Sequence, residues 1–284
     1  MEEKNKLPVE RITANSSGLN LKIREVWRYR DLILLFVRRD FVAQYKQTIL
    51  GPLWLIIQPL LTTLTFYIIF SKIAKIPTGG IDPILFYLSG ITLWNYFSDC
   101  LTKTSNTFVA NAGIFGKVYF PRLVIPLSVI LSNLIKFGIQ CMLLVLVFIV
   151  QSMRNDLAFN GNWALWMLPL FILIMALMGL GLGLIFSALT VKYRDLSYLL
   201  TFSVQLLMYA TPILYPLSFA QGTLRNVIAF NPLTELFESF RYGLFSIGAI
   251  NGTGIIYTVS FTLVVLILGI FVFNRVERSF MDTV

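Results

Sequence analysis

Residues 38–59 read Arg38-Arg39-Asp40-Phe41-Val42-Ala43-Gln44-Tyr45-Lys46-Gln47-Thr48-Ile49-Leu50-Gly51-Pro52-Leu53-Trp54-Leu55-Ile56-Ile57-Gln58-Pro59. The first half carries its charges as a helix lying on a membrane surface would, and from Ile49 to Ser71 no residue is charged. Crossing a hydrocarbon layer takes ~20 apolar residues, so a first span begins at Ile49. Basic residues at its leading edge fix its orientation, and hence the side of every later loop.

Working outward, Leu21–Lys46 alternates charge and apolar bulk at helical spacing. Ile23, Val26, Trp27, Ile33, Leu34, Val37, Phe41 and Tyr45 form one face, which predicts an amphipathic interfacial helix over 21–47. Residues 1–20 are expected to be a flexible cytoplasmic tail, and residues 48–284 a six-helix transmembrane domain. Composition agrees: 57% of residues are hydrophobic, 13% are charged, and the mean hydropathy is +0.76. That is too little charge to cover a soluble globule. The net charge of +9 then reads as the positive-inside bias of a membrane chain rather than a nucleic-acid surface.

The chain has no histidine, which removes the commonest general base and zinc ligand. Cys100 and Cys141 lie beside or within apolar runs and read as packing residues, and no metal site is expected. Gly116-Lys117 resembles part of a phosphate-binding loop, but that motif needs Gly at 111 and Ser or Thr at 118, where the chain has Asn111 and Val118.

Five further spans are expected: Pro83 to about Thr102, Leu123 to about Val150, Trp163–Val191, Leu196 to about Leu214, and Gly254–Asn274. Gly179, Gly181 and Gly183 would let helices approach closely in the fourth. Between the last two spans, residues 215–250 are too apolar for a solvated loop and too charged for a span. Two external re-entrant helices are expected there, Leu217–Phe230 and Pro232–Ser246, with Asn231 capping the second. In the second, Leu233, Leu236, Phe237, Phe240 and Leu244 form an apolar stripe, and Glu235, Glu238 and Arg241 are expected on the opposite side. With six spans, 17 of the 23 lysines and arginines fall on the side of both termini, which predicts cytoplasmic termini. Lys136 is expected near mid-membrane and Asp99 near the inner face, too far apart for a direct pair.

Several motifs together carry a resemblance. They are Arg39-Asp40-Phe41 through Gly51-Pro52-Leu53-Trp54 with Gln58-Pro59, Gly116-Lys117-Val118-Tyr119-Phe120-Pro121-Arg122 with Pro126-Leu127-Ser128, Tyr193-Arg194-Asp195, and Asn231-Pro232. The chain resembles the membrane subunit of type 2 ABC exporters of polysaccharides and polyol phosphates, from about Arg24 to Arg278. The resemblance implies a homodimer in the cytoplasmic (inner) membrane that binds two copies of a separate ATPase, which holds ATP and Mg; this chain holds no cofactor. The cargo implied is a lipid-linked glycan, O-antigen first, with teichoic acid or capsule as alternatives.

It also implies an ATPase-coupling segment over 105–122, centred on Phe115, Gly116, Lys117, Tyr119, Phe120, Pro121 and Arg122. Tyr193, Arg194 and Asp195 would join the same contact, and Arg38, Arg39 and Lys46 would meet either the ATPase or the substrate headgroup. For a glycan, aromatic faces suit sugar rings, which makes Trp54, Phe66, Tyr67, Trp94, Tyr96 and Phe97 the expected pathway lining. Pro212, Pro216, Pro232, Glu235, Glu238 and Arg241 would form the external gate. A small-amphiphile exporter on the same fold is a further alternative. A membrane-embedded transferase is disfavoured by the missing histidines and by the scarcity of acidic residues near the spans.

Overall fold

The computed structural model describes residues 23–115, 117–155 and 162–280, which are helical with no strand among them. The expected interfacial helix is two pieces, α1 (Ile23–Arg28) and α2 (Arg30–Tyr45), separated at Tyr29. Val26, Phe36, Val37 and Tyr45 turn inward, whereas Trp27, Leu34, Leu35 and Val42 face outward. The 1–20 tail lies outside the described residues.

The junction continues as a 3-10 turn at Gly51–Leu53, α3 (Trp54–Phe66) and a π-helical stretch at Tyr67–Ile73. Pro59 inside α3 has no N–H, so the Leu55 carbonyl lacks its helical donor. Next come α4 (Pro83–Ser105), α5 (Thr107–Phe115), α6 (Val124–Asn155), α7 (Leu168–Lys192) and α8 (Leu196–Tyr209). Short helices α9 (Gly222–Phe230) and α10 (Pro232–Phe245) precede α11 (Gly252–Phe280). Among the described residues, four segments are long and apolar enough to cross a membrane: Gly51–Ile73, Val124–Arg154, Trp163–Lys192 and Gly252–Glu277.

The core lies around α4, which packs on α7, α6 and α3 and buries Phe86, Tyr87, Leu88, Trp94 and Phe97. A helix surrounded by protein can carry Ser89, Thr92, Asn95 and Asp99 where a lipid-facing one could not. Asp82 starts α4 by accepting from Ile84 N at 3.0 Å and Leu85 N at 3.3 Å, with Pro83 in the first turn. Gly179 and Gly183, four apart on α7, meet Cys100 and Thr104 of α4. Gly181, two residues from each, points the opposite way and meets Leu266 of α11.

At one end of the bundle, called the near end, Val26, Phe36, Phe108, Phe115, Phe120 and Phe273 form a second core. The far end holds the 74–82 loop, α9 and α10.

Candidate functional site

Two polar cavities and one exposed loop hold most of the residues singled out from sequence. The first cavity, about 270 Å³, lies between the end of α2, the start of α3, and the facing flanks of α4 and α6. Asn95, Asp99 and Lys103 recur every four residues on α4, and Asn133, Lys136 and Gln140 recur at three and four on α6, so each helix presents one polar stripe. Gln44, Tyr45, Trp54 and Gln58 close the remaining sides.

Lys103 Nζ forms an ion pair with Asp99 Oδ2 and donates to Asn133 Oδ1 at 3.2 Å. Lys136 Nζ donates to Gln44 Oε1 and stands 3.9 Å from the same Asp99 oxygen. Lys136 and Asp99 are therefore at one level, contrary to the depth expected from sequence. Helical side chains lean toward their own amino terminus, and because α4 and α6 run antiparallel, Asp99 leans toward the far end while Lys136 leans toward the near end.

Of the expected pathway aromatics, Trp54 is exposed and lines this cavity with the largely buried Tyr96. Phe66 and Tyr67 are half-buried against the α4 core. Trp94 and Phe97 are buried and pack on each other at 5.7 Å between ring centroids, so they are core residues in this chain rather than lining.

At the near end, the expected coupling residues divide in two. Phe115, Phe120 and Arg122 turn inward: Phe120 packs on Phe36 at 5.7 Å and on Phe115 at 5.8 Å. Arg122 Nη1 donates to the Glu277 carbonyl at 2.7 Å and stacks 5.3 Å from Phe115, tying the loop to the end of α11. Lys117, Val118 and Tyr119 point outward, Tyr119 with 63% of its surface exposed. Pro121 is half-buried, and Gly116 lies outside the described residues. Lys192, Tyr193, Arg194 and Asp195 form an exposed turn between α7 and α8. This turn lies at the same end, since Thr190 Oγ1 bonds the Ser105 carbonyl at 3.1 Å. On α2, Arg39 is committed to Asp40 at 2.7 Å and to the Phe36 ring at 4.6 Å, while Arg38 and Lys46 are exposed.

At the far end, Asn231 caps α10 by accepting from Leu233 N at 3.0 Å. Leu233, Leu236, Phe237 and Phe240 are buried as the stripe predicts. Arg241, expected away from the apolar stripe, is only 2% exposed. The reason is the stretch after α8, which leaves the helix at Tyr209 and carries carbonyl groups with no helical donor. Arg241 Nη1 donates to the Pro212 carbonyl at 2.5 Å and Nη2 to the Ile213 carbonyl at 3.2 Å, and the guanidinium lies 3.7 Å over the Phe86 ring. Asn231 Nδ2 donates to the Ala210 carbonyl at 3.2 Å. Glu238 accepts from Leu217 N at 3.2 Å, and Glu235 accepts from Asn251 N at 2.8 Å. A cavity of about 430 Å³ opens beside them, lined by Pro216, Arg225, Glu235, Glu238 and Arg241. Of the other two expected gate residues, Pro212 supplies a carbonyl to Arg241 and Pro232 begins α10.

Sequence reasoning missed Gln44, Tyr45, Gln58, Asn95, Lys103, Asn133 and Gln140 as cavity residues. For Asn95, Lys103, Asn133 and Gln140 the signal was the helical repeat of polar groups within otherwise apolar α4 and α6; Gln44, Tyr45 and Gln58 carry no such repeat.

A family model described as ABC-2 type transporter matches residues 31–245. An O-antigen export system permease protein, RfbA of Klebsiella pneumoniae, is 31% identical over 254 residues, covering 89% of this chain and 94% of that protein. The RfbA of Myxococcus xanthus is 29% identical, covering 77% of this chain and 82% of its own length. The polysialic acid transport protein KpsM of Escherichia coli is 24% identical, covering 86% and 93%. With a match over most of its length, the chain belongs to the ABC-2 type transporter family and is a membrane permease component, not an enzyme.

Proposed function

We propose that the chain is the permease subunit of an ATP-driven exporter that moves lipid-linked O-antigen from the cytoplasm across the inner membrane. The observation that carries this reading is its end-to-end likeness to O-antigen export permeases, which covers 94% of one relative's length. Six crossings complete the architecture, with α4 and the short α8 added to the four apolar spans and α9–α10 re-entering from the external side. The near end is cytoplasmic, because the lysines and arginines of α1, α2, the 117–122 loop and the 192–194 turn gather there. Two copies pair, and each binds one ATPase subunit, which holds ATP and Mg. Arg38 and Lys46 face that ATPase or anionic lipid.

The test is complementation. In a host deleted for its own O-antigen permease, this chain with its cognate ATPase is expected to restore surface polymer by immunoblot. Polymer that stays cytoplasmic despite normal membrane expression would refute the assignment. A second reading, capsule export, is favoured by the 24% likeness to a polysialic acid transporter, and restored capsule instead of O-antigen would establish it.

The exposed part of the near-end loop makes a separable prediction. Lys117→Glu with Tyr119→Ala is expected to weaken ATPase association about tenfold, or ~1.4 kcal/mol, by pull-down and quantitative binding. Thermal stability should be unchanged, since neither side chain supports the core. Unaltered association would place the coupling contact elsewhere.

A further inference from the structure

We propose that the cavity between α2, α3, α4 and α6 is an anion-binding site that takes a phosphate-bearing headgroup, with Lys103, Lys136, Asn133 and Tyr45 as donors. Charge is the first argument. Two ammonium groups, Lys103 and Lys136, share the single carboxylate of Asp99, which leaves the lining positive by one charge. The nearby Asp40 carboxylate is taken by Arg39 at 2.7 Å.

Unmet hydrogen-bonding capacity is the second. Asn133 and Tyr45 are lining residues, and the Asn133 amide nitrogen and the Tyr45 hydroxyl are buried just behind the cavity wall with no hydrogen-bond partner among the described residues. Asn133 is 2% exposed and Lys136 8%, so the site is built into the protein and is not a surface patch. Buried donors without acceptors cost ~1–3 kcal/mol each, a cost that a ligand rich in acceptor oxygens would offset. Phosphate oxygens accept, which matches two unpartnered buried groups, the Asn133 amide nitrogen and the Tyr45 hydroxyl, that can both donate.

Size is the third argument. At about 270 Å³ the space is just below the ~300–1,000 Å³ range of drug-sized ligands. It holds a headgroup, not a polymer, and the exposed Trp54 at its edge is available to whatever is attached. This location replaces Arg39, whose charge is already committed.

Such a phosphate could belong to a membrane phospholipid or to the diphosphate of a lipid carrier; only the second source rests on the glycan-export reading. The experiment is calorimetric titration of the full chain, purified in non-ionic detergent, with inorganic pyrophosphate, farnesyl diphosphate and dioctanoyl phosphatidylglycerol. Saturable binding is expected, weakened about tenfold or more by Lys136→Gln and by Asn133→Asp. Asp99→Asn, which removes the competing carboxylate, is expected to tighten binding several-fold, a gain that misfolding does not produce. Farnesyl diphosphate binding without competition from phosphatidylglycerol would support the site and identify the carrier, whereas equal binding would support the site and identify membrane lipid. Absence of saturable binding by all three probes, or binding that neither Lys136→Gln nor Asp99→Asn alters, would overturn the proposal. Because no transport is measured, its failure is distinguishable from failure of complementation.

Discussion

Arg241→Met is expected to lower the stability of the purified protein by about 3–5 kcal/mol and to abolish export, because the side chain satisfies the non-helical backbone that follows α8. Helix α8 has 14 residues, or ~21 Å, short of the ~30 Å apolar layer. In the six-crossing arrangement proposed above, the chain would complete its passage through the non-helical residues 210–214, of which Thr211 and Ile213 are fully buried. Irregular backbone at that depth persists only where protein groups satisfy it. Arg241 supplies donors to two of those carbonyls, and methionine fills similar space with none.

Arg241→Lys is expected to be intermediate, since one ammonium can reach a carbonyl but cannot span both or lie flat on Phe86. Glu238→Gln should cost less than ~1 kcal/mol, because its 3.9 Å pairing with Arg241 is long and an amide oxygen can still accept from Leu217 N. Gly90→Ala is an independent check: its added carbon would lie 2.8 Å from Arg241 Nη2, so it should reproduce part of the loss without touching the arginine. Thermal unfolding in detergent reads all four variants. Wild-type stability of Arg241→Met would mean that water or lipid satisfies the Pro212 and Ile213 carbonyls.

This arginine also shows where sequence reading stops. The Asn231-Pro232 cap and the Leu233–Leu244 stripe are local signals, and they located α10 to within a residue of its ends. The same reading set Arg241 only away from the apolar stripe, because an amphipathic pattern says which face is polar but not what polar surface it meets. Here that surface is the buried, non-helical backbone of Ile213 and Pro212, 28 and 29 residues earlier in the chain. The near-end loop repeats the lesson. Its aromatic and basic residues were legible as a unit, yet Phe120 and Arg122 turn inward because α2 and the end of α11 supply a second core for them. The cavity stripes on α4 and α6 were visible as spacing, but only the antiparallel packing of the two helices makes Asp99 and Lys136 neighbours.

The glycines of α7 lead to the other large expected effect. Gly269→Val is expected to cost about 3 kcal/mol or more and to reduce the yield of folded protein sharply, at the upper end of overpacking penalties. A Cβ at position 269 on α11 would press on the Gly181 carbonyl of α7, and one at 181 would lie 2.9 Å from the Leu266 backbone. Both collisions are with backbone, so no rotamer change relieves them and the helices must separate. In lipid that separation is expensive, because helix association rests on van der Waals contact rather than on hydrophobic exclusion of water. Gly183→Val should act in the same direction against α4, where its Cβ would meet Thr104 at 2.5 Å. Gly138→Val on α6 is the control: nothing lies within 4 Å of its Cβ, and its effect should stay within ~0.5 kcal/mol of zero. Because α7 is held between α4 and α11, parting either contact would also displace the α4 stripe that carries Asp99 and Lys103. Gly269→Val protein that survives purification should therefore bind pyrophosphate more weakly than Gly138→Val, although position 269 is nowhere near the cavity. Equal stability and equal binding in the two variants would show that α7 and α11 can part without disturbing α4.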